Sequence, residues 1–254
     1  MNPNIVETLN VAREVAWLPW AVQYFFLIGL SYGAFVLALP GIVFRRPGWD
    51  SVSRLALLGA LVCGLSAPVA LLADLHQPGR FWHFYAYFTP TSWMSWGAFF
   101  IPVYLGGLLS FAWLAFRPDL ARHAASGGKL ARLAGVLAYG GHESRGALKA
   151  AALLGLVGAV LVAVYTGAEV AVVRARPLWN TCLLPLQFIV TAFAGAAGLA
   201  LVFNYFSARN TAVTHTLARV LAASQFLALG IGALWLALGL SGLSATHAQA
   251  LAEV

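Results

Sequence analysis

The chain has 254 residues, of which 61% are hydrophobic and only 9% are charged, and its formal net charge is +7. A soluble domain carries roughly a quarter of charged residues, so this composition excludes most soluble classes. The Lys and Arg residues lie almost wholly in loops between apolar runs, where they orient a membrane protein, so the positive charge does not indicate nucleic-acid binding.

Six apolar runs are long enough to cross a bilayer, whose hydrocarbon core of about 30 Å needs about 20 helical residues. The runs lie at about 20–43, 55–73, 93–116, 150–173, 183–206 and 219–240. Helices are the expected form, because an α-helix pairs its backbone amides within its own segment and an isolated strand in lipid does not. The sequence therefore predicts an all-α integral membrane protein, a bundle of about six transmembrane helices in a single domain over residues 1–254.

The residues before the first run do not match a cleaved signal peptide. Glu7, Arg13 and Glu14 occupy the region where such a peptide has a basic stretch followed by a short apolar core. We therefore expect the first helix to remain uncleaved.

The loops divide the positive charges unequally. Eleven of the 15 Lys and Arg residues lie in the loops 45–54, 117–149 and 207–219. The other four, on the opposite side, are Arg13, Arg80, Arg174 and Arg176. Because cytoplasmic loops carry the excess of Lys and Arg, we predict a multi-pass protein of the bacterial inner membrane with both termini in the periplasm.

Two further segments are expected to lie along the membrane surface. Segment 129–141, within the basic cytoplasmic loop 117–149, is apolar but too short to span, and its basic flank suits an interfacial helix. Segment 74–92, on the outer side, is dense in Trp, Tyr, Phe and His, the residues whose rings settle at headgroup level.

Neither a haem nor an iron–sulfur cluster is predicted in this chain. A b haem between helices needs two His facing each other at membrane depth. The six His fall instead in loops or at helix ends: His76, His83, His123, His142, His215 and His247. Cys63 and Cys182 lie in apolar runs without the Cys-x-x-Cys spacing of a cluster or a zinc site, so no metal site is predicted.

The polar residues inside the predicted spans gather near the outer face. Glu169 lies about one turn inside the outer end of the fourth span, and Tyr165, four residues earlier, shares its face. At the same depth lie Gln23 and Tyr24 in the first span, Asp74 and His76 at the end of the second, and Gln187 in the fifth. Because ionisable residues in a membrane are costly, they are candidates for a functional site.

These side chains suit a quinone, whose ring fits an apolar slot, whose carbonyls bind Tyr or His donors, and whose protons come from titratable groups. We predict Asp74, Tyr165 and Glu169 as catalytic residues. The predicted quinone-binding residues are Tyr24, Gln23, His76, Tyr165 and Asp74. An anchoring role at the membrane interface is an equal alternative for Tyr24 and the favoured one for Gln23, Gln187 and His76.

Four stretches also resemble a known family. They are Tyr24–Gly33 (YFFLIGLSYG), 73–84 (ADLHQPGRFWHF), 88–99 (FTPTSWMSWGAF) and 165–181 (YTGAEVAVVRARPLWNT). In this order they resemble the NrfD/PsrC family, the membrane-anchor and quinone-reactive subunits of three-subunit molybdopterin oxidoreductases such as polysulfide reductase. The resemblance covers roughly residues 24 to 181.

The resemblance implies a four-helix bundle over 19–181 with a menaquinone or ubiquinone site near its outer face, followed by two further helices and a tail over 182–254. It also implies a ferredoxin-like iron–sulfur subunit docked on the periplasmic face and a molybdopterin catalytic subunit beyond it, for sulfur-compound chemistry in anaerobic respiration. Tyr24, Asp74 and Tyr165 match family positions implicated in quinone chemistry. Glu169 is predicted from its depth and helix face alone. The polysulfide reductase branch has eight helices, whereas this chain predicts six.

Two other functions remain open from the sequence. A small-solute or proton-conducting transporter commonly has two halves of similar hydropathy, and no convincing internal repeat is visible. A purely structural membrane anchor would use the same helices without a quinone. Quinone content of the purified complex would separate the quinone-reactive subunit from both.

Overall fold

A computed structural model describes residues 19–75, 77–127, 130–140, 144–173, 179–207 and 209–240. Within these residues the protein consists of α-helices, a 3₁₀ turn at Pro78–Arg80 and short connections. In chain order the helices are α1 (Pro19–Ile42), α2 (Asp50–Asp74), α3 (His83–Ala86), α4 (Trp93–Ala125), α5 (Ala131–Leu137), α6 (Arg145–Ala171), α7 (Leu183–Phe206) and α8 (Thr211–Leu240).

The six long helices α1, α2, α4, α6, α7 and α8 are each long and apolar enough to span a membrane. The prediction of an all-α, multi-pass integral membrane protein is therefore confirmed, and six spans lie within the described residues, where about six were predicted. The helices extend beyond several predicted runs, because polar residues at the ends continue the helix after the apolar run stops. In α4, for example, the helix continues through Arg117, Asp119 and Arg122 to Ala125.

The first four spans form a four-helix bundle. Helix α1 packs along α2 and α4 packs along α6, while contacts of α1 with α6 and of α2 with α4 close the bundle. Helix α7 lies against α1 and also contacts α6 and α2, and α8 packs mainly on α7. The bundle predicted for the first four spans is present, with α7 filling the side formed by α1, α2 and α6.

Close packing between α4 and α6 depends on glycines at their crossing. A Cβ at Gly107 would collide with the backbone of Gly155, and a Cβ at Gly158 would lie 2.7 Å from the amide nitrogen of Tyr104. Small residues allow such approach between membrane helices, where packing contacts rather than the hydrophobic effect drive association. The ring of Phe35 from α1 fills the remaining space beside Gly155.

Two short helices lie outside the bundle. Helix α3 belongs to the aromatic segment between α2 and α4, where the Phe88 and Trp96 rings meet edge to face at 5.0 Å. Helix α5 is attached to α4 by a hydrogen bond in which Trp113 Nε1 donates to the Leu137 carbonyl at 2.7 Å. Leu133 and Val136 on α5 are exposed, as expected of a helix at the membrane surface.

Candidate functional site

Tyr24 on α1 and Tyr165 on α6 come together at the end of the bundle where α1 begins and α6 ends. Both are buried, with 1% and 3% of their surfaces exposed. Tyr165 interacts electrostatically with Tyr24 and with Glu169, which lies one turn further along α6. The two helices therefore bring both predicted phenols and one of the two predicted carboxylates into a single cluster.

Three buried polar atoms at this end have no hydrogen-bond partner among the described residues: Tyr24 Oη, Glu169 Oε2 and Gln187 Oε1. Tyr24 lies close enough to Tyr165 for electrostatic interaction, but its hydroxyl forms no hydrogen bond of acceptable geometry. Buried polar groups are nearly always paired, since leaving one unpaired costs about 1–3 kcal/mol. These atoms are therefore available to a ligand that offers hydrogen-bond donors and acceptors.

Gly97 on α4 holds the Tyr165 ring in place. A Cβ at position 97 would overlap the ring atoms of Tyr165, so the phenol ring occupies the space that any larger residue at position 97 would need for its side chain. Gly97 belongs to the stretch 88–99 that carries the family resemblance, but its contact with Tyr165 joins two distant helices. Sequence reasoning missed this contact, because nothing in one helix shows what faces it.

The first turns of α7 complete the cluster. Pro185 packs directly on Gly167 of α6. Phe188 accepts a hydrogen bond at 3.5 Å through its carbonyl from the hydroxyl of Tyr32, a buried residue of α1. Gln187 lies between these two contacts, and its amide oxygen is one of the three unpaired atoms. The sequence favoured an anchoring role for Gln187. It did not identify Tyr32 as a site residue, although Tyr32 lies on the buried side of α1 two turns after Tyr24.

Asp74 at the end of α2 is partly buried and fixes the start of α1. Its Oδ1 accepts a hydrogen bond at 3.2 Å from the backbone N–H of Ala21, one turn before Tyr24. A carboxylate beside the first N–H groups of a helix satisfies one of them and interacts favourably with the helix dipole. Asp74 thus positions the turn that carries Tyr24, a contribution that the sequence did not predict.

Of the other two predicted quinone-binding residues, the structure describes only Gln23. Gln23 is exposed, because it precedes the buried Tyr24 by a single residue and so points away from the helix–helix contact. His76 lies outside the described residues.

A cavity of about 430 Å³ lies beside the aromatic segment at the same end of the bundle. It is lined by Leu75, Gln77, Arg80, Phe81, His83, Phe84, Tyr87 and Ser95. The Ser95 hydroxyl accepts a hydrogen bond at 3.3 Å from the Thr89 N–H, which attaches the segment to α4 two residues before Gly97. The cavity has the apolar and aromatic lining that suits a planar ring, but it does not reach Tyr24, Tyr165 or Glu169 in this conformation.

A larger cavity of about 850 Å³ lies at the opposite end of the bundle and contains none of the predicted site residues. No group of three or more His, Cys, Asp and Glu side chains that could hold a metal comes together within the described ranges. The candidate site therefore consists of the cluster of Tyr24, Tyr165, Glu169 and Gln187, with the smaller cavity beside it.

Comparison with known proteins gives matches along nearly the whole sequence. A family model described as "Polysulphide reductase, NrfD" matches residues 7–254. One tetrathionate reductase subunit, from Salmonella typhimurium, is 38% identical over 198 residues, which cover 78% of this sequence and 52% of that protein. One selenate reductase subunit, from Mesobacillus selenatarsenatis, is 30% identical over 206 residues, covering 75% and 48%. One polypeptide of the Wolinella succinogenes polysulfide reductase is 31% identical over 209 residues, covering 78% and 62%. The present sequence spans about half the length of the first two relatives.

Proposed function

The chain belongs to the polysulphide reductase NrfD family, and on that premise we propose that it is the quinone-reactive membrane subunit of a respiratory reductase complex. In this proposal it exchanges electrons between the quinone pool of the bacterial inner membrane and an iron–sulfur subunit on the periplasmic face. The family match favours this function over the transporter, since the relatives named above are parts of reductases. Against the purely structural anchor, the support is the group of buried polar atoms without a partner among the described residues.

The proposed partners follow from the resemblance in sequence, and the names of the relatives support them only in that these proteins are subunits of reductases. A ferredoxin-like iron–sulfur subunit would receive the electrons, and a molybdopterin subunit would carry out the terminal reaction. Tetrathionate and polysulfide appear in the names of two relatives, and we propose an oxidised sulfur compound of this kind as the terminal substrate. Terminal catalysis then belongs to the partner, and quinone chemistry belongs to this chain.

One observation supports the quinone site: at one end of the bundle, three helices each carry a buried polar atom that has no hydrogen-bond partner in the described part of the chain. A quinone takes up or releases two electrons and two protons when bound, and its two oxygens need hydrogen-bond partners. A phenol, a carboxylate and an amide oxygen offer both donors and acceptors for such a ring. The residues present therefore fit a quinone.

Three residues of the cluster have a definite task in this proposal. Tyr165 holds a proton at its hydroxyl between Tyr24 and Glu169, and Glu169 exchanges protons with it. Gln187 accepts a hydrogen bond at its amide oxygen. The nearly complete burial of Tyr24 and Tyr165 keeps water away from the proton-exchanging groups. Asp74 orients the first turn of α1 and, as predicted from the sequence, is a second proton-exchanging carboxylate.

Gln23 and His76 remain predicted contacts of the ring at the membrane surface. In this proposal the ring enters from lipid beside the aromatic segment, where the cavity next to Ser95 lies at the same end of the bundle as the cluster. The aromatic segment would have to move for the ring to reach the cluster, because the cavity does not contact Tyr24, Tyr165 or Glu169. The isoprenoid tail would remain in the lipid.

The test uses the purified complex with its partner subunits and follows oxidation of a soluble quinol by the terminal substrate. Tyr165→Phe keeps the ring beside Gly97 and removes the hydroxyl, so we expect the rate to fall by roughly 10²-fold, the lower limit for general acid–base groups. Tyr205→Phe, at the far end of α7, is the matched control and should keep the rate. A viologen donor, which bypasses the quinone, should give equal rates in the wild type and both variants.

Quinone extraction from the pure complex tests binding directly. We expect bound quinone in the wild type and reduced occupancy in Glu169→Gln and Tyr165→Phe. Normal quinol oxidation in both variants would refute the site while leaving the function. A complex that neither contains quinone nor oxidises quinol would refute the function itself.

A further inference from the structure

The larger cavity, of about 850 Å³, lies at the end of the bundle opposite the proposed quinone site. Four parts of the protein meet around it: the end of α1, the start of α2, residues between Leu114 and Arg122 of α4, and the start of α6. Ala138, directly after α5, also lines it. The cavity has no part in the proposed quinone chemistry.

Positive charge dominates the cavity. Its lining includes six arginines, Arg45, Arg46, Arg54, Arg117, Arg122 and Arg145, and two aspartates, Asp50 and Asp119. Asp119 pairs with Arg54 and Arg122, and Asp50 pairs with Arg54 at 3.2 Å. Both aspartates are therefore engaged in ion pairs, and these pairs involve only two of the six arginines, Arg54 and Arg122. The other four arginines have no ion pair among the side chains that the structure describes.

Arg117 is the buried member of this group, with 9% of its surface exposed. Its guanidinium lies over the Trp113 ring, 5.2 Å from the ring centroid. No carboxylate of the described residues pairs with it. A buried cation without an opposite charge is costly, so an anion that entered the cavity beside Arg117 would be stabilised there. The planar guanidinium suits phosphate, which it can bind through two parallel hydrogen bonds.

Two long helices also begin at this cavity. Helix α2 starts at Asp50 and α6 starts at Arg145, so the positive ends of both helix dipoles lie at the cavity. The Ser144 hydroxyl accepts the Ala147 N–H at 3.2 Å, and the N–H groups of Arg145 and Gly146 have no acceptor among the described residues. Together with the arginines, these groups favour a phosphate oxygen over a carbonyl or a cation.

The position of the cavity favours a lipid as the source of the phosphate. The neighbouring α5 exposes Leu133 and Val136, which places this level of the protein at the boundary of headgroups and acyl chains. The arginine-rich side of a membrane protein faces the cytoplasmic leaflet, and basic pockets between helices on that side bind anionic headgroups. We propose that this arginine-rich cavity binds a phosphate group, presented by an anionic phospholipid or by a small soluble phosphate compound, with Arg117 as its central contact.

The test measures thermal unfolding of the purified, delipidated complex during titration with short-chain phosphatidylglycerol. Phosphatidylcholine and sodium chloride at equal ionic strength are the reference additions, and inorganic phosphate is the soluble probe. We expect phosphatidylglycerol to raise the unfolding temperature. Phosphatidylcholine should need at least a tenfold higher concentration to give the same rise. An equal response to inorganic phosphate would identify a soluble phosphate compound as the ligand.

Three variants connect the response to the cavity. Arg117→Gln should weaken the apparent affinity by at least tenfold, and Arg145→Gln, at the exposed rim, should weaken it several-fold without affecting the fold. Arg209→Gln, in the connection between α7 and α8, is the control and should bind as the wild type does. Mass spectrometry should detect the most co-purified anionic lipid in the wild type and Arg209→Gln, less in Arg145→Gln and least in Arg117→Gln. If the wild type responds to neither probe, or Arg145→Gln and Arg117→Gln both respond as the wild type does, the proposal is wrong.

Discussion

Ser31 shows how a polar side chain is accommodated inside the bundle. It is fully buried on α1, and its hydroxyl donates to the Ala60 carbonyl of α2 at 2.7 Å. The Tyr104 hydroxyl of α4 lies 2.7 Å from the Ser31 hydroxyl oxygen. Since the only hydroxyl proton of Ser31 goes to Ala60, Tyr104 donates its own proton to Ser31. Tyr104 is thus satisfied, in contrast to Tyr24, whose hydroxyl has no such partner in the described part of the protein.

Ser31→Ala should destabilise the bundle by about 1–2 kcal/mol, because it leaves the Tyr104 hydroxyl buried without an acceptor. The measurement is thermal unfolding of the purified complex in detergent. Ser66→Ala on α2 is the control: Ser66 is exposed, its hydroxyl bonds only the Val62 carbonyl of its own helix, and the expected change is below about 0.5 kcal/mol. Equal unfolding temperatures for both variants would contradict the prediction.

Individual site residues could be predicted from the sequence to the extent that helix depth and helix face determine them. Tyr165 and Glu169 are four residues apart, so their shared face follows from the helical period, and the structure places them together. Gln23 has the correct depth but is exposed, since successive residues of a helix point about 100° apart. Depth can be counted along a sequence, whereas the direction of a side chain depends on the neighbouring helix.

At the scale of helices, the number of spans could be predicted but their lengths could not. The hydropathy pattern predicts that the third span ends near residue 116, whereas α4 continues to Ala125. The extension contains Asp119 and Arg122, which pair with each other one turn apart. Charged pairs of this spacing sustain a helix after it leaves the hydrocarbon. A hydropathy profile therefore detects the part of a helix in lipid and not the helix itself.

Contact between α4 and α6 at Gly97 gives a prediction about the proposed site. Gly97→Ala introduces a methyl group into the place of the Tyr165 ring, so the phenol must move away from Tyr24 and Glu169. We expect quinol oxidation to fall by roughly tenfold or more, while the viologen-linked rate stays unchanged. Misplacement of a reacting group by about 1 Å is enough for such losses.

Gly106→Ala is the matched control for Gly97→Ala. It lies in the same helix, and an added Cβ at position 106 meets no atom within 4 Å. Both variants gain the same methyl group, so a difference between them reports contact with Tyr165 rather than helix propensity. If Gly97→Ala keeps the quinol-linked rate, Tyr165 does not need its observed position.

Across the whole molecule, the two ends of the bundle differ in chemistry. One end has the aromatic segment and the tyrosine cluster, and the other has the arginine-rich cavity. The helices alternate in direction, so the connections after α1, α4 and α7 lie at the arginine-rich end. This agrees with the unequal division of Lys and Arg in the sequence, which predicted the proposed site to be periplasmic. Which residues form the site depends on contacts between helices, and a count of charges in the loops cannot predict those contacts.

Orientation in the membrane can be measured with the protein's own cysteines. Cys182 is exposed at the predicted outer end, whereas Cys63 is buried in α2. A charged, impermeant maleimide added to intact cells should therefore label Cys182 and leave Cys63 unlabelled.

In a Cys182→Ser background, Tyr87→Cys in the aromatic segment should be labelled in intact cells, because Tyr87 is exposed beside α3. Ser126→Cys, exposed just after α4, should react only after the membrane is permeabilised. The reverse pattern would place the tyrosine cluster on the cytoplasmic side, where a periplasmic iron–sulfur subunit could not take electrons from it, and the proposed direction of assembly would then be wrong.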